Sequence, residues 1–333
     1  MDDLKNKNVL ITGGAGFIGS ALVRELLNEG ANVVVYDNFL RGSMLNLKDV
    51  ADKIMVIKGD ILDENFVNVL KENNIEYVFN YAANPYIPEC YDYPHQFLDV
   101  NTKGTLNVML CCKETGVKRI LHCSSSEVYG TCKQAPMDEH HPTLPHSTYA
   151  VSKLAADRIC FTLFHEQNIP IIILRQFNCY GPRETHPYII PELITQLSQT
   201  NELRLGNIEA RRDFTYVEDS ARASVSLIKY PEAVGETFNV GNGKDWSVKE
   251  LAEMISKFFG HDSIKIEVEK KRLRPLDVEK LQSNYFKLHN LTGWKPLVGI
   301  EEGLKKTINY FKENNHKWVW EFTPGLKNHV RRA

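Results

Sequence analysis

Residues 7–19, KNVLITGGAGFIG, carry a short apolar run into a glycine-rich turn and out into a helix. Val9, Leu10 and Ile11 suit a strand buried on both faces of a parallel sheet. Gly13, Gly16 and Gly19 allow a sharp turn, a close backbone approach to a phosphate and tight packing of the next helix. A helix beginning near Phe17, Ile18 and Gly19 turns its free N–H groups and positive dipole end towards that anion. Three glycines alone also fit a plain strand-to-helix turn with no ligand. The next strand-like run, residues 33–36, ends at Asp37, about 20 residues after Gly16. An acidic side chain there, followed by Asn38, accepts hydrogen bonds from an adenosine ribose and repels a 2′-phosphate, which favours NAD. Arg41 nearby leaves NADP open as the alternative.

The same alternation continues outward. Apolar runs at 9–12, 33–36, 54–58, 77–80, 119–123 and 171–175 alternate with helical stretches near 17–29, 63–73, 99–115 and 149–167. That pattern predicts an α/β protein, a Rossmann-type doubly wound parallel sheet covered by helices on both faces. After Asn178, prolines 182, 187 and 191 punctuate loops and the periodicities mix, which predicts a smaller mixed α/β C-terminal substrate lobe. The expected division is 1–177 for the nucleotide-binding part, with 212–242 returning to it, 178–320 for the lobe and 321–333 for a tail. The stretch 235–242, GETFNVGN, is the strand expected to rejoin the main sheet. Trp318, Trp320 and Phe322 fit packing on the body or a partner as well as a frayed end.

Composition narrows the class. In 333 residues, 40 basic and 42 acidic side chains nearly cancel, so no strong field draws in nucleic acid or a membrane surface. The seven cysteines form no CxxC pair, and the opening MDDLKNKN has no apolar h-region. No aliphatic run is long enough to span a bilayer. The expectation is a soluble cytoplasmic protein with free thiols.

Tyr149 and Lys153 lie one helical turn apart on one face, the spacing at which a lysine charge favours a phenolate that deprotonates a sugar hydroxyl. Chance placement on an exposed helix explains a single YxxxK equally well. The run 122–130, HCSSSEVYG, follows a buried strand and so emerges at the C-terminal edge of the sheet, where ligand crevices of open α/β sheets lie. His140, His141 and His146 sit in a Pro-rich loop without metal-ligand spacing, so no metal is expected.

Together, TGGAGFIG (12–19), Asp37, GDI (59–61), YAAN (81–84), Asn101, SSSEVYG and YAVSK (149–153) resemble the extended short-chain dehydrogenase/reductase family, from about residue 7 to 312. Within it the chain is similar to nucleotide-sugar 4,6-dehydratases, such as those acting on GDP-mannose and UDP-N-acetylglucosamine. The resemblance implies that Ser125 and Tyr149 share a substrate hydroxyl and that Lys153 also holds the nicotinamide ribose. It places Asp60 and Ile61 beside the adenine, Ala82 and Ala83 against the cofactor, and Asn101 in the cofactor set, with NAD as cofactor. Asn84, Asn178 (in LRQFNCYGPRE, 174–184), Arg212 (in RRDFTYVED) and Arg274 (in RLRPLDVEKL) become contacts to a UDP- or GDP-linked sugar. A homodimer built from the helices near 99–115 and 149–167 is implied by the family alone.

Glu127 selects among the family's reactions. Simple 4-epimerases resemble SSSATVYG here, whereas 4,6-dehydratases carry glutamate at this position. Once C4 is a ketone the C5 proton is acidic, and a placed carboxylate removes it. Ser126 stands where one dehydratase subgroup has an aspartic acid; a hydroxyl is a poor proton donor, which leaves Glu127 to pass the proton to the departing C6 oxygen. The alternatives are a nucleotide-sugar decarboxylase, which also carries SEVYG but usually departs from YAVSK and RDFTYVED, a 4-epimerase, and a catalytically silent NAD-binding regulator. Intact Ser125, Glu127, Tyr149 and Lys153 argue against the last.

Overall fold

The computed structural model describes residues 1–322; residues 323–333, most of the expected tail, lie outside them. The first half holds β1 (Asn8–Thr12), α1 (Phe17–Asn28), β2 (Asn32–Asp37), β3 (Met55–Lys58), α2 (Phe66–Glu72) and β4 (Tyr77–Asn80). Short helices α3 (Ile87–Cys90) and α4 (Pro94–Phe97) lead through a π-helical stretch, Leu98–Gly104, into α5 (Thr105–Thr115). Then follow β5 (Arg119–Ser125), α6 (Thr148–Gln167), β6 (Ile171–Gln176), β7 (Asn178–Tyr180), α7 (Ile189–Leu197), β8 (Glu202–Leu205), β9 (Arg211–Tyr216) and α8 (Val217–Ile228). The chain continues with β10 (Thr237–Val240), β11 (Asp245–Ser247), α9 (Val248–Phe258), β12 (Lys265–Val268), α10 (Phe286–Thr292), α11 (Ile300–Glu313) and α12 (Val319–Phe322).

Seven parallel strands form the main sheet in the order β3-β2-β1-β4-β5-β6-β10. The order reverses between β1 and β4, which opens a crevice beyond the carboxyl ends of the strands. Alternate residues of each strand serve opposite faces. Val9, Ile11, Phe79, Leu121 and Leu174 pack with α1, α8 and α10, whereas Leu10, Val78, Ile120 and Ile173 pack with α2, α5 and α6. That two-sided burial is why the strands read as continuous apolar runs.

The segment 212–242 divides between the two parts. β9 pairs with β7 and β11 in a three-stranded sheet of the lobe, while α8 covers the main sheet and β10 extends it beside β6. A third core, with Leu193, Ile194, Tyr216, Leu251 and Phe311, fills the lobe. Trp318 is buried there, donates its indole N–H to Thr195 at 2.8 Å and stacks on Trp320, so these aromatics pack on the body; Phe322 is exposed. All seven cysteines are free. No helix among the described residues is long and apolar enough to cross a membrane.

The helix expected over 99–115 begins earlier and is irregular. Pro94 opens a helical turn, and the wide π stretch turns Asn101 inward. The Asn101 side chain accepts from the Asn84 N–H at 2.7 Å and donates to the Asn84 carbonyl at 3.0 Å and to Ser152 Oγ at 2.9 Å. It ties the loop after β4 to α6.

Candidate active site

One cavity of about 850 Å³ runs along the carboxyl ends of the main strands and under the lobe. Gly13 turns with φ +70°, and a Cβ on it would lie 2.8 Å from the Ala82 nitrogen. A Cβ on Gly19 would come within 2.2 Å of the Gly13 carbonyl oxygen, so α1 starts directly on the turn. That helix has glycine as N-cap, no side-chain cap and no acidic residue in its first turn. Its N–H groups therefore remain for a ligand anion, and the cradle fits a dinucleotide diphosphate. Gly16, Phe17 and Ile18 line the same region.

Asp37 is held at the end of β2 by the N–H groups of Ala15 (2.9 Å) and Phe39 (2.8 Å), and burial pushes its carboxyl above the usual carboxylate value. Asn38 donates to Asp60 at 2.8 Å; Ile61, Ala82 and Ala83 complete this end of the cavity. Arg41 is engaged by Glu89, with Nη1 donating to Oε1 at 3.1 Å, and both side chains are largely buried. Its guanidinium is thus committed to a carboxylate, which removes the ground for preferring NADP.

At the far end, β5 delivers Ser125 and a short 3-10 turn, Ser126–Tyr129, presents Ser126 and Glu127. Ser125 Oγ accepts from the Glu127 N–H at 3.2 Å, which fixes the turn. Tyr149 and Lys153 from α6 face the same space, and Phe97 meets the Tyr149 ring edge-on at 6.2 Å. Burial pushes the Tyr149 phenol well up, while its hydrogen bond with Ser125 pulls it down. Burial likewise lowers the Lys153 ammonium, which donates to the Cys123 carbonyl at 2.5 Å.

A buried network braces this end from below. Arg175 of β6 pairs in a fork with Asp157 of α6 (2.9 and 3.1 Å), Ser124 Oγ donates to Asp157 at 2.9 Å, and Arg175 reaches Tyr129 at 3.0 Å. The residues on either side of Ser125–Glu127 are therefore fixed to both α6 and β6. The lobe side contributes Asn178, Arg212 and Arg274. Arg212 is buried, which lowers its guanidinium, while the charges of Glu127 and Asp277 raise it. Asp277 lies between the two arginines, 3.6 Å from Arg212 and 4.0 Å from Arg274.

All but one of the expected site residues thus line this cavity, Asn84 among them. The exception is Asn101, expected to touch the cofactor. It is fully buried behind the loop it holds and is a positioning residue. Several lining residues escaped the sequence reading: Gln176 at the end of β6, Tyr86 after β4, and Glu184, His186 and Tyr188 in the turn before α7. His141 is held by the Lys133 N–H at 2.9 Å, and no group of metal-binding side chains occurs among the described residues.

A family model described as GDP-mannose 4,6 dehydratase matches residues 10–307. Mouse dTDP-D-glucose 4,6-dehydratase is 32% identical over 323 residues, covering 94% of this chain and 90% of that protein. UDP-glucuronic acid decarboxylase 1 of Xenopus tropicalis is 31% identical over 339 residues, covering 98% of this chain and 77% of its own. Among solved structures, DesIV, a dTDP-glucose 4,6-dehydratase from Streptomyces venezuelae with NAD and TYD bound, superposes with a TM-score of 0.86. It is 27% identical, covering 94% of this chain and 99% of that one.

Proposed function

Because the chain belongs to the GDP-mannose 4,6-dehydratase family of extended short-chain dehydrogenases/reductases, we propose that it is an NAD-dependent nucleotide-diphosphate-sugar 4,6-dehydratase. The cofactor is NAD, as in the solved neighbours. Relatives 31% to 32% identical bear dehydratase, decarboxylase and epimerase names, so the reaction has to be argued from the site. The observation that carries the reading is Glu127, a carboxylate lining the cavity beside Ser125, Tyr149 and Lys153, which argues against an epimerase; YAVSK (149–153) and RDFTYVED (212–219) argue against a decarboxylase, which shares the glutamate.

Glycines 13, 16 and 19 with the start of α1 hold the diphosphate, Asp37 takes the adenosine ribose, and Lys153 takes the nicotinamide ribose. Bound NAD supplies the hydride acceptor for C4 and the hydride donor for C6. Tyr149, hydrogen-bonded with Ser125, takes the proton of the C4 hydroxyl as that carbon is oxidised. Glu127 removes the C5 proton, acidified by the new ketone, and passes it to the C6 oxygen, which leaves as water. The proton held by Tyr149 balances the one C5 regains, so the cycle loses one water and no net electrons. Ser126 orients the departing oxygen. Asn84, Asn178, Arg212 and Arg274 hold the sugar and its diphosphate, with Arg212 and Arg274 suited to bidentate phosphate contacts. By the same resemblance the enzyme works as a cytoplasmic homodimer.

The test is a product mass. Incubation with UDP-, GDP- and dTDP-linked glucose, mannose, N-acetylglucosamine and glucuronic acid is expected to give, for one of them, a product lighter by one water. Loss of CO₂ instead, or a C4 isomer of unchanged mass, would replace the dehydratase with a decarboxylase or an epimerase.

A further inference from the structure

Glu184 belongs to the turn between β7 and α7 and is 1% exposed, yet it lines the cavity. Neither carboxyl oxygen has a hydrogen-bond partner among the described residues. An ionised carboxylate left so would cost several kcal/mol, whereas the neutral acid carries one O–H donor and one C=O acceptor. In agreement, burial alone pushes its carboxyl well above the usual value. The segment around it is firmly walled: His186 stacks on Tyr86 at 5.4 Å between ring centres and meets Tyr188 at 5.7 Å.

Glu184 lines the same cavity as Ser125, Glu127, Tyr149 and Lys153, six residues after Asn178 of β7, which lines it too. A ligand group that satisfies both carboxyl oxygens at once must offer an acceptor and a donor side by side. A hydroxyl has one oxygen to share, and the N–H of a secondary acetamido group points away from its own carbonyl; a primary carboxamide has a carbonyl and an N–H side by side in one plane. The ligand group of that kind in an NAD site is the nicotinamide carboxamide.

We propose that the Glu184 carboxyl group binds the nicotinamide carboxamide, donating its O–H to the amide carbonyl and accepting from the amide N–H. This rests on the reading of the cavity as an NAD and nucleotide-sugar site, and is independent of which reaction follows. Two hydrogen bonds made in a dry cavity correspond to roughly ten- to a hundredfold in affinity.

The experiment is calorimetric binding on the full chain, with Glu184→Met, which removes both polar atoms at similar volume, and Glu184→Gln, which keeps a carbonyl and an N–H. Glu184→Met is expected to weaken NAD by about ten- to a hundredfold. Glu184→Gln stays near the wild type. Because the carboxyl has no hydrogen-bond partner among the described residues, Glu184→Met should leave the ligand-free melting temperature equal or higher. A lowered melting temperature, or an unchanged NAD affinity in Glu184→Met, overturns the proposal. A chain that binds NAD and sugar nucleotides without dehydrating them leaves it standing; one that binds neither removes the reading beneath it.

Discussion

Replacing Gly19 with alanine puts the cofactor cradle to a quantitative test. The added Cβ would sit 2.2 Å from the Gly13 carbonyl oxygen and 2.9 Å from Gly14 Cα, both backbone atoms that cannot swing aside. Carbon–oxygen contacts settle at roughly 3.3 Å, so α1 and the turn must part by about 1 Å. Overpacking of this kind costs about 1–3 kcal/mol. Part of it will be avoided in the free protein by letting the turn open, but the turn must close again around the diphosphate. The cost then falls on binding, and NAD affinity should drop by roughly 5–150-fold. The assay is calorimetric titration of NAD into stripped protein, alongside thermal melting. Gly299→Ala is the control: it precedes α11, its φ is −68°, and a Cβ there meets nothing within 4 Å. Gly19→Ala binding NAD within twofold of wild type, at an unchanged melting temperature, would refute the close helix-on-turn packing inferred here.

Tyr149→Phe and Lys153→Met should each lower turnover by about 10²–10⁴-fold while the fold melts near its normal temperature. Turnover within tenfold of wild type would show that another group takes the C4 proton. Asp157→Asn breaks the buried fork to Arg175 and strands a guanidinium, so unfolding in urea should lose about 3–5 kcal/mol. A loss below about 1 kcal/mol would mean that the network braces little. Val151, on α6, and Leu110, on α5, are exposed, on the two helices expected to pair across a dimer. Light scattering should find a dimer that Val151→Glu with Leu110→Glu converts to a monomer; a monomeric wild type counts against that arrangement.

The main sheet was legible because each of its first six strands is apolar on both faces. Residues such as Leu10, Val78, Ile120 and Ile173 face one core, and their neighbours Ile11, Phe79, Leu121 and Leu174 face the other. The glycine turn, Asp37, Ser125 and Glu127 were legible because each lies at the end of an apolar strand, and Tyr149 and Lys153 because four-residue spacing puts them on one face of α6. The lobe was less so. Its strands β7, β8, β11 and β12 are three or four residues long, too short to show a period. Asn101 entered the cofactor set through the family resemblance alone, whereas its amide is turned onto the Asn84 backbone from a π-helical stretch that no periodicity in the sequence announces. Glu184, Tyr188 and Gln176 gave no signal, since the burial of a polar residue beside prolines depends on what folds over it. Arg41 looked available to a phosphate because its partner, Glu89, comes from a helix far along the chain.

If Glu127 is the group that removes the C5 proton, a single turnover of Glu127→Gln exposes it. Protein loaded with NAD is mixed with the sugar nucleotide that the wild type dehydrates, in deuterated water, while reduced cofactor is followed by absorbance and the sugar by mass. Cofactor reduction is expected to proceed and persist, while neither water loss nor deuterium at C5 appears. Water loss at the wild-type rate from Glu127→Gln would contradict it and move the base to another residue.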